Sequence, residues 1–406
     1  MTRPRLFANR NFRLLFAASA FTNLGDGCLA VALPWFATQL TSDPLLIGAV
    51  AAARQLPWLI LSLPAGVITD RFDRKNLILT CDALRLGLAG ALVLLATAPV
   101  GGAAAVWALT ALTFALGAAE VLRDNTAQSF LPAVVPQDRL EDANGLLWSV
   151  EQVAGQFAGP PLAGLLIGVA LALPFGVEAA MLAAAIGLVL RMDLPPTPRA
   201  APQPFGPALK EGLLFLWRHQ TLRRTALALG AFNFIGSMFW ALVVLYAQTV
   251  LGLSAAGYGA MLAVVAGGGL IGSLFGPAIL RRTGPTAGLL AGLGGFGLAA
   301  ALLATTQNVV TAGAALTLEA FTAMLWNIAT VSYRQRHIPA PLLGRVNAAY
   351  RFCGTGPSAF GSVAGGLVVT LGAPFGPVAA LQLPYAICLG GAALILIFVT
   401  LFLRLD

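Results

Sequence analysis

GVITDRFDRKN, residues 66–76, places five charged residues among eleven, in a 406-residue chain of which only 10% is charged. The segments on either side are oily. The chain is 58% hydrophobic and its mean hydropathy is +0.84. A soluble chain of this length divides into about two or three domains, with roughly a quarter of its residues charged. Here there is too little polar surface to cover such bodies, so lipid is the better solvent. Crossing a bilayer takes about 20 apolar residues per helix. Twelve stretches qualify, near 13–39, 44–68, 75–98, 101–122, 143–169, 172–191, 221–250, 257–281, 285–306, 308–333, 343–370 and 376–402. The alternating pattern of membrane strands is absent, so helices must satisfy the backbone. The expectation is an all-α polytopic membrane protein, in which the charged knot lies between the second and third spans.

A net charge of +8 invites a nucleic-acid reading, but the placement of the charge defeats it. On this division all basic residues but Arg54 fall at or beside alternate loops: the N-terminus and the segments near 71–85, 123–139, 191–224, 281–282 and 334–351, plus Arg404. The opposite loops carry none. That asymmetry puts both termini in the cytoplasm. The first apolar run continues to about Leu40, too long for a cleaved signal segment, and reads as the first span. Cys28, Cys81, Cys353 and Cys388 are far apart, and His219 and His337 form no cluster, so neither a metal nor another cofactor is expected. No catalytic triad, phosphate loop or ATP motif is present, which points away from an enzyme.

The one long polar, proline-rich stretch is 192–220, beginning MDLPPTPRAAPQPFGP. It divides the chain into residues 1–191 and 221–406, six spans each, joined by a cytoplasmic linker. VPQDRLEDANG (135–145) and IPAPLLGRVNA (338–348) repeat Pro, Leu and Asn at the same spacing, at an offset of 338 − 135 = 203 residues. A duplicated half follows.

Two such halves are the plan of the major facilitator superfamily. GVITDRFDRKN resembles that superfamily's signature between helices 2 and 3, with Gly66, Asp70, Arg71, Arg74 and Lys75 at the matching positions. Asp73 stands where the family usually has glycine. GPAILRRTG (276–284) is the weaker counterpart in the second half. GQFAGPPLAG (155–164), with Gly155, Gly159, Pro160 and Gly164, resembles the antiporter signature of exporters. AEVLRDNTAQSFLPAVVPQDRLEDANG (119–145), NLGDG (23–27) and LPWF (33–36) resemble the drug:proton antiporter branch, with its macrolide-efflux, Tap-like multidrug and enterobactin exporters.

The resemblance implies proton-coupled export of a small amphipathic molecule across the bacterial cytoplasmic membrane by a monomer, through alternating access. Its partners are substrate, protons and lipid. The rivals are a dedicated exporter of one siderophore or antibiotic, and a transport-inactive membrane sensor. The resemblance also implies that Asp70 meets the eleventh helix near 344–348 and that Arg74 pairs with Asp124, as a gate on the cytoplasmic side.

Carboxylates in lipid carry the remaining expectations. Asp26 and Glu319 lie near mid-membrane, one in each half, and are the candidate proton carriers. Glu120 and Glu178 lie near helix ends and read as structural. Arg54, the one basic residue placed at comparable depth, is a candidate ion-pair partner for Asp26. Asn144, Trp148, Glu151, Gln152, Gly155 and Gln156 recur at helical spacing as a polar face of the fifth span. With Arg54, Asn233, Trp240 and Trp326 they are the candidate lining of a substrate cavity, and Trp35, Trp58, Phe232, Phe239 and Phe321 are further aromatic candidates.

Overall fold

The computed structural model describes residues 6–98, 101–136, 139–193, 205–338 and 343–403, and the regular structure among them is entirely helical. The helices, in order, are α1 (Arg10–Leu40), α2 (Pro44–Arg71), α3 (Arg74–Thr97), α4 (Ala103–Val134), α5 (Leu140–Val150), a π-helical segment (Glu151–Ala158), α6 (Gly159–Val169), α7 (Leu173–Leu190), α8 (Phe205–Arg218), α9 (Gln220–Ala241), α10 (Val243–Thr249), α11 (Ala255–Thr283), α12 (Pro285–Leu303), α13 (Val309–His337), α14 (Leu343–Thr355), α15 (Pro357–Gly372) and α16 (Pro377–Phe402). Among the described residues, eleven helices are long and apolar enough to cross a membrane. The expected fifth span falls outside that number because α5, the π segment and α6 follow one another as three windings of a single rod.

Local chemistry explains the boundaries. Asp73, the departure from the signature glycine, is the N-cap of α3, and its carboxylate accepts from the Asn76 N–H at 2.9 Å. Gly284 and Gly376 take positive φ angles of 84° and 90°, and each is followed by a proline that starts the next helix. In the fifth span Pro160 and Pro161 offer no N–H, and each ring crowds the carbonyl four residues back. The backbone answers by widening: the Gly159 N–H bonds to the Ala154 carbonyl, five residues back.

The chain forms two compact units, one of Met1–Leu40, Ile60–Pro202 and Ser254–Ala263, the other of Thr41–Leu59, Gln203–Leu253 and Val264–Asp406. In the first, α1 and α3 pack on α7, and α3 also packs on α4. Its apolar core at the basic end joins Leu6, Phe12, Phe130, Ala143, Val189 and Met192. Two polar latches close that end. The Lys75 ammonium donates to the carbonyls of Leu190 and Met192 at 3.2 and 2.7 Å, capping the C-terminus of α7. Asn11 and Asp193 exchange reciprocal hydrogen bonds at 2.7 and 3.1 Å.

In the second unit α9 packs on α15, and α12 packs on α13 and α16. Tyr246 donates its hydroxyl toward the Leu303 and Thr306 carbonyls at 3.1 and 2.7 Å. Arg224 caps α16 through the Phe402 carbonyl at 2.8 Å. In each unit, then, a basic side chain holds the C-terminal end of a helix, Lys75 that of α7 and Arg224 that of α16.

Candidate functional site: a two-rung charge ladder in the membrane

Arg85 lies eleven residues into α3, about 16 Å along its axis at 1.5 Å per residue. That is roughly the middle of a bilayer core about 30 Å thick. Its guanidinium is 1% exposed and pairs with two carboxylates, Asp26 of α1 and Glu178 of α7. The Glu178 contact is 2.9 Å, and that side chain is fully buried, whereas Asp26 keeps 21% of its side chain exposed. An unpaired charge at this depth costs roughly 2.5–3.5 kcal/mol on insertion scales. Pairing offsets this for one carboxylate of the two.

One turn along α1, Thr22 accepts from Arg123 of α4 at 3.1 Å. The same guanidinium lies 3.4 Å from Asp82 and 3.5 Å from Asp124. Asp82 and Arg85 are three residues apart on α3, and Thr22 and Asp26 four apart on α1, spacings that stack side chains on one helix face. The result is a ladder with an upper rung of Asp26, Arg85 and Glu178 and a lower rung of Thr22, Arg123, Asp82 and Asp124. Glu120 lies within electrostatic reach of Arg85, and Asp26 and Glu120 lie within reach of Glu151.

Glycines let the backbones close around this ladder. A Cβ on Gly25 would collide with Glu178 Oε2, and one on Gly27 with the Gly155 carbonyl. Gly159 meets Gly27 backbone to backbone, and Gly164 lies against the backbone of Ala255 and Ala256. The glycines of GQFAGPPLAG thus bring the π segment and α6 onto α1 and onto residues 254–263. Pro160 is buried at that seam.

The structure corrects several expectations. The basic partner of Asp26 is Arg85, not Arg54, and Arg54 makes no ion pair among the described residues. Glu178 is not a helix-end carboxylate in the headgroup region but a fully buried member of the triad. Arg85 and Arg123 are not loop charges. Asp124 lies 3.5 Å from its neighbour Arg123, a contact that leaves the expected pairing with Arg74 an open proposal. Lys75 of the charged knot caps α7, and Asp73 caps α3, so two of its five charges act within the first unit. Arg71 is exposed at the end of α2, and Arg74 begins α3. The side chains of Gly66, Asp70 and residues 344 and 348 lie outside the described residues, and with them the expected contact between Asp70 and that helix.

In the fifth span Asn144, Trp148, Glu151 and Gln156 are exposed and Gln152 is half-buried. In the second unit Glu319 is 7% exposed, and the Trp240 indole reaches its carboxyl as a hydrogen-bond donor. No basic side chain pairs with Glu319 among the described residues. Trp326, one face of α13 with Glu319, is packed at 3% exposure against Phe232, its ring 5.2 Å away. Asn233 spends its amide on the Gly354 carbonyl at 2.8 Å, just before the break between α14 and α15.

The sequence reading missed Asp82, Arg85 and Arg123. A signal was present: CDALR (81–85) lies inside the apolar run 75–98, with an acid and a base three residues apart. In lipid that spacing is itself a functional mark.

A multi-pass, all-α membrane protein with the major facilitator fold is the class these observations define. The family model described as transmembrane secretion effector matches residues 4–405, and the chain belongs to that family. It is 31% identical over 230 residues to the multidrug efflux pump Tap of Mycobacterium tuberculosis (strain ATCC 25618 / H37Rv), a match covering 52% of each chain. It is 21% identical over 161 residues to macrolide efflux protein A of Streptococcus pyogenes, covering 39% of this chain and 38% of that one. The chain thus spans about half the length, or less, of the curated relatives it matches. In fold it is similar to the crystal structure of a bacterial homologue of the iron transporter ferroportin, with a TM-score of 0.75, 16% identity, and coverage of 97% of this chain and 98% of that one.

Proposed function

We propose that this protein exports small amphipathic molecules from the bacterial cytoplasm in exchange for protons. Both termini would be cytoplasmic, and residues 1–191 and 221–406 would rock about the linker 192–220. The observation that carries the reading is the Asp26–Arg85–Glu178 triad, one guanidinium between two carboxylates at mid-membrane. Arg85 neutralises one of them, so one negative charge is left in a medium that penalises it. A proton removes that charge, and so does the polar or cationic end of a substrate.

Asp26 is the partly exposed partner and receives either from a water-filled path, while Glu178 stays sealed. Proton and substrate compete for one residual charge, and that competition is the core of an antiport cycle. Glu319, buried beside Trp240 without a basic partner among the described residues, supplies a second protonatable group in the other unit. The support from relatives is that Tap and macrolide efflux protein A bear efflux names.

The test is ΔpH-driven drug or dye efflux from proteoliposomes, with proton flux recorded in the same vesicles. Wild type is expected to accumulate substrate against its gradient and to move protons in the opposite direction. Asp26→Asn is expected to abolish both while the protein still inserts. Uphill efflux by Asp26→Asn at the wild-type rate would sink the proposal.

A further inference from the structure

Asp82 lies in the lower rung, where its side chain is fully buried, and neither carboxyl oxygen accepts a hydrogen bond from any described residue. Arg123 Nε stands 3.4 Å from Asp82 Oδ1, a long contact in which charge outweighs hydrogen bonding. The other end of the same guanidinium lies 3.5 Å from Asp124, whose side chain is 38% exposed. Arg123 is shared between two carboxylates and held tightly by neither. Its firmest bond, at 3.1 Å, goes to the neutral Thr22 hydroxyl.

Charge bookkeeping gives the rest. Two carboxylates face one guanidinium, which leaves one surplus negative charge in the rung. The nearby groups do not absorb it. Arg85 also attracts the Asp82 carboxylate, but its guanidinium is already engaged by Asp26 and Glu178. Asp26 itself acts on Asp82 with charge of the same sign. Asp124 keeps 38% of its side chain exposed, so water reaches its carboxylate. Asp82 is sealed, and its long contact with Arg123 offsets only part of the cost of a carboxylate inside lipid-embedded protein. Taking up a proton removes that penalty at its source.

We propose that Asp82 is a second proton-binding residue of the first unit, with Arg123 as its positioning residue. While Asp82 is protonated, Arg123 belongs to Asp124. When the proton leaves, the guanidinium turns toward Asp82 and loosens from Asp124. Because Arg123 also holds Thr22, one turn from Asp26 on α1, the lower rung senses the state of the upper one. The first unit then holds two protons in a full cycle, one per rung. This rests on the proton-coupled reading above and deepens it.

The experiment is difference infrared spectroscopy of the full-length protein in lipid nanodiscs, titrated in the absence of substrate. Wild type is expected to show a protonated-carboxyl C=O band that Asp82→Asn removes and Asp82→Glu displaces. A wild-type spectrum without such a band overturns the assignment, and so does a band that Asp82→Asn leaves whole. Should Asp82→Asn fail to fold, Asp82→Glu, which keeps the acid, decides alone: a displaced band supports the assignment and an unmoved one overturns it. No efflux is measured, so failure of the export proposal leaves this result standing on its own.

Discussion

Gly27 of α1 and Gly159 of α6 touch through their backbones: a Cβ built on Gly159 would lie 2.6 Å from the Gly27 Cα and 2.7 Å from its carbonyl carbon. The neighbour at that point is main chain, which cannot swing aside as a side chain could. Gly159→Ala is therefore expected to push α6 off α1, at about 1–3 kcal/mol of stability. Thermal unfolding of the purified protein, followed with a dye that reports cysteine exposure, measures it. A melting temperature equal to wild type would show that the two helices separate freely.

Removing Arg85 should expose its role as a counter-charge. Arg85→Met leaves the buried Glu178 and the half-buried Asp26 without their base, a change worth about 3–5 kcal/mol. Neutralising both acids in the same chain, as Asp26→Asn with Glu178→Gln, should recover most of that stability. It should not recover proton-driven efflux. Melting temperatures of the single, double and triple variants form the cycle that measures the coupling. Additive losses with no recovery would contradict the triad as an electrostatic unit.

Glu319 is expected to act by protonation rather than by packing. Glu319→Gln keeps a group of the same shape that still accepts from Trp240. Such a variant should fold and insert normally, lose proton-coupled accumulation, and retain downhill substrate movement. Vesicle assays run with and without a pH gradient separate the two. Unimpaired uphill transport would assign Glu319 to structure.

Lys75 separates architecture from gating. Lys75→Met deletes two bonds to the last carbonyls of α7, and should lower stability by about 1 kcal/mol without changing the coupling ratio. A variant of wild-type stability with altered proton-to-substrate ratio would return Lys75 to the gate.

Orientation follows from labelling single cysteines in a chain whose four native cysteines have been replaced. Ser42→Cys should react with an impermeant reagent from outside intact cells. Lys210→Cys should react only after lysis. Labelling of position 210 from outside would reverse the assigned topology.

Much of this architecture was legible in apolar run lengths, because lipid leaves the backbone no alternative to the helix. The fifth span reads as one continuous run, and its winding was hidden: Pro160 and Pro161 announce a disturbance but not a π turn. The candidate site was only half legible. Asp26 and Glu319 stand out as acids deep in oily helices. Arg85 does not, because the basic residues beginning at Arg71 form a cluster, and a cluster at a helix start reads as loop charge. Rise per residue places Arg85 at mid-membrane, whereas proximity in sequence assigns it to the surface. Glu178 was misjudged for the mirror reason. It lies in the second turn of α7, a helix of only 18 residues, so few residues from the end still means burial.

The π segment has one further consequence, which concerns the length of the chain. An α-helix rises 1.5 Å with each residue, and a wider turn takes in an extra residue without gaining that height. Glu151–Ala158 therefore carries slack that the other windings of this rod do not. Deleting the exposed Val153 would let the turn tighten into ordinary α-helix, keeping Gly159 seated on Gly27 and α5 in phase with α6. A deletion anywhere in α6 would instead drag the seam itself out of register. The span can lose a residue at one place and keep its seat, and that place lies beside Asp26.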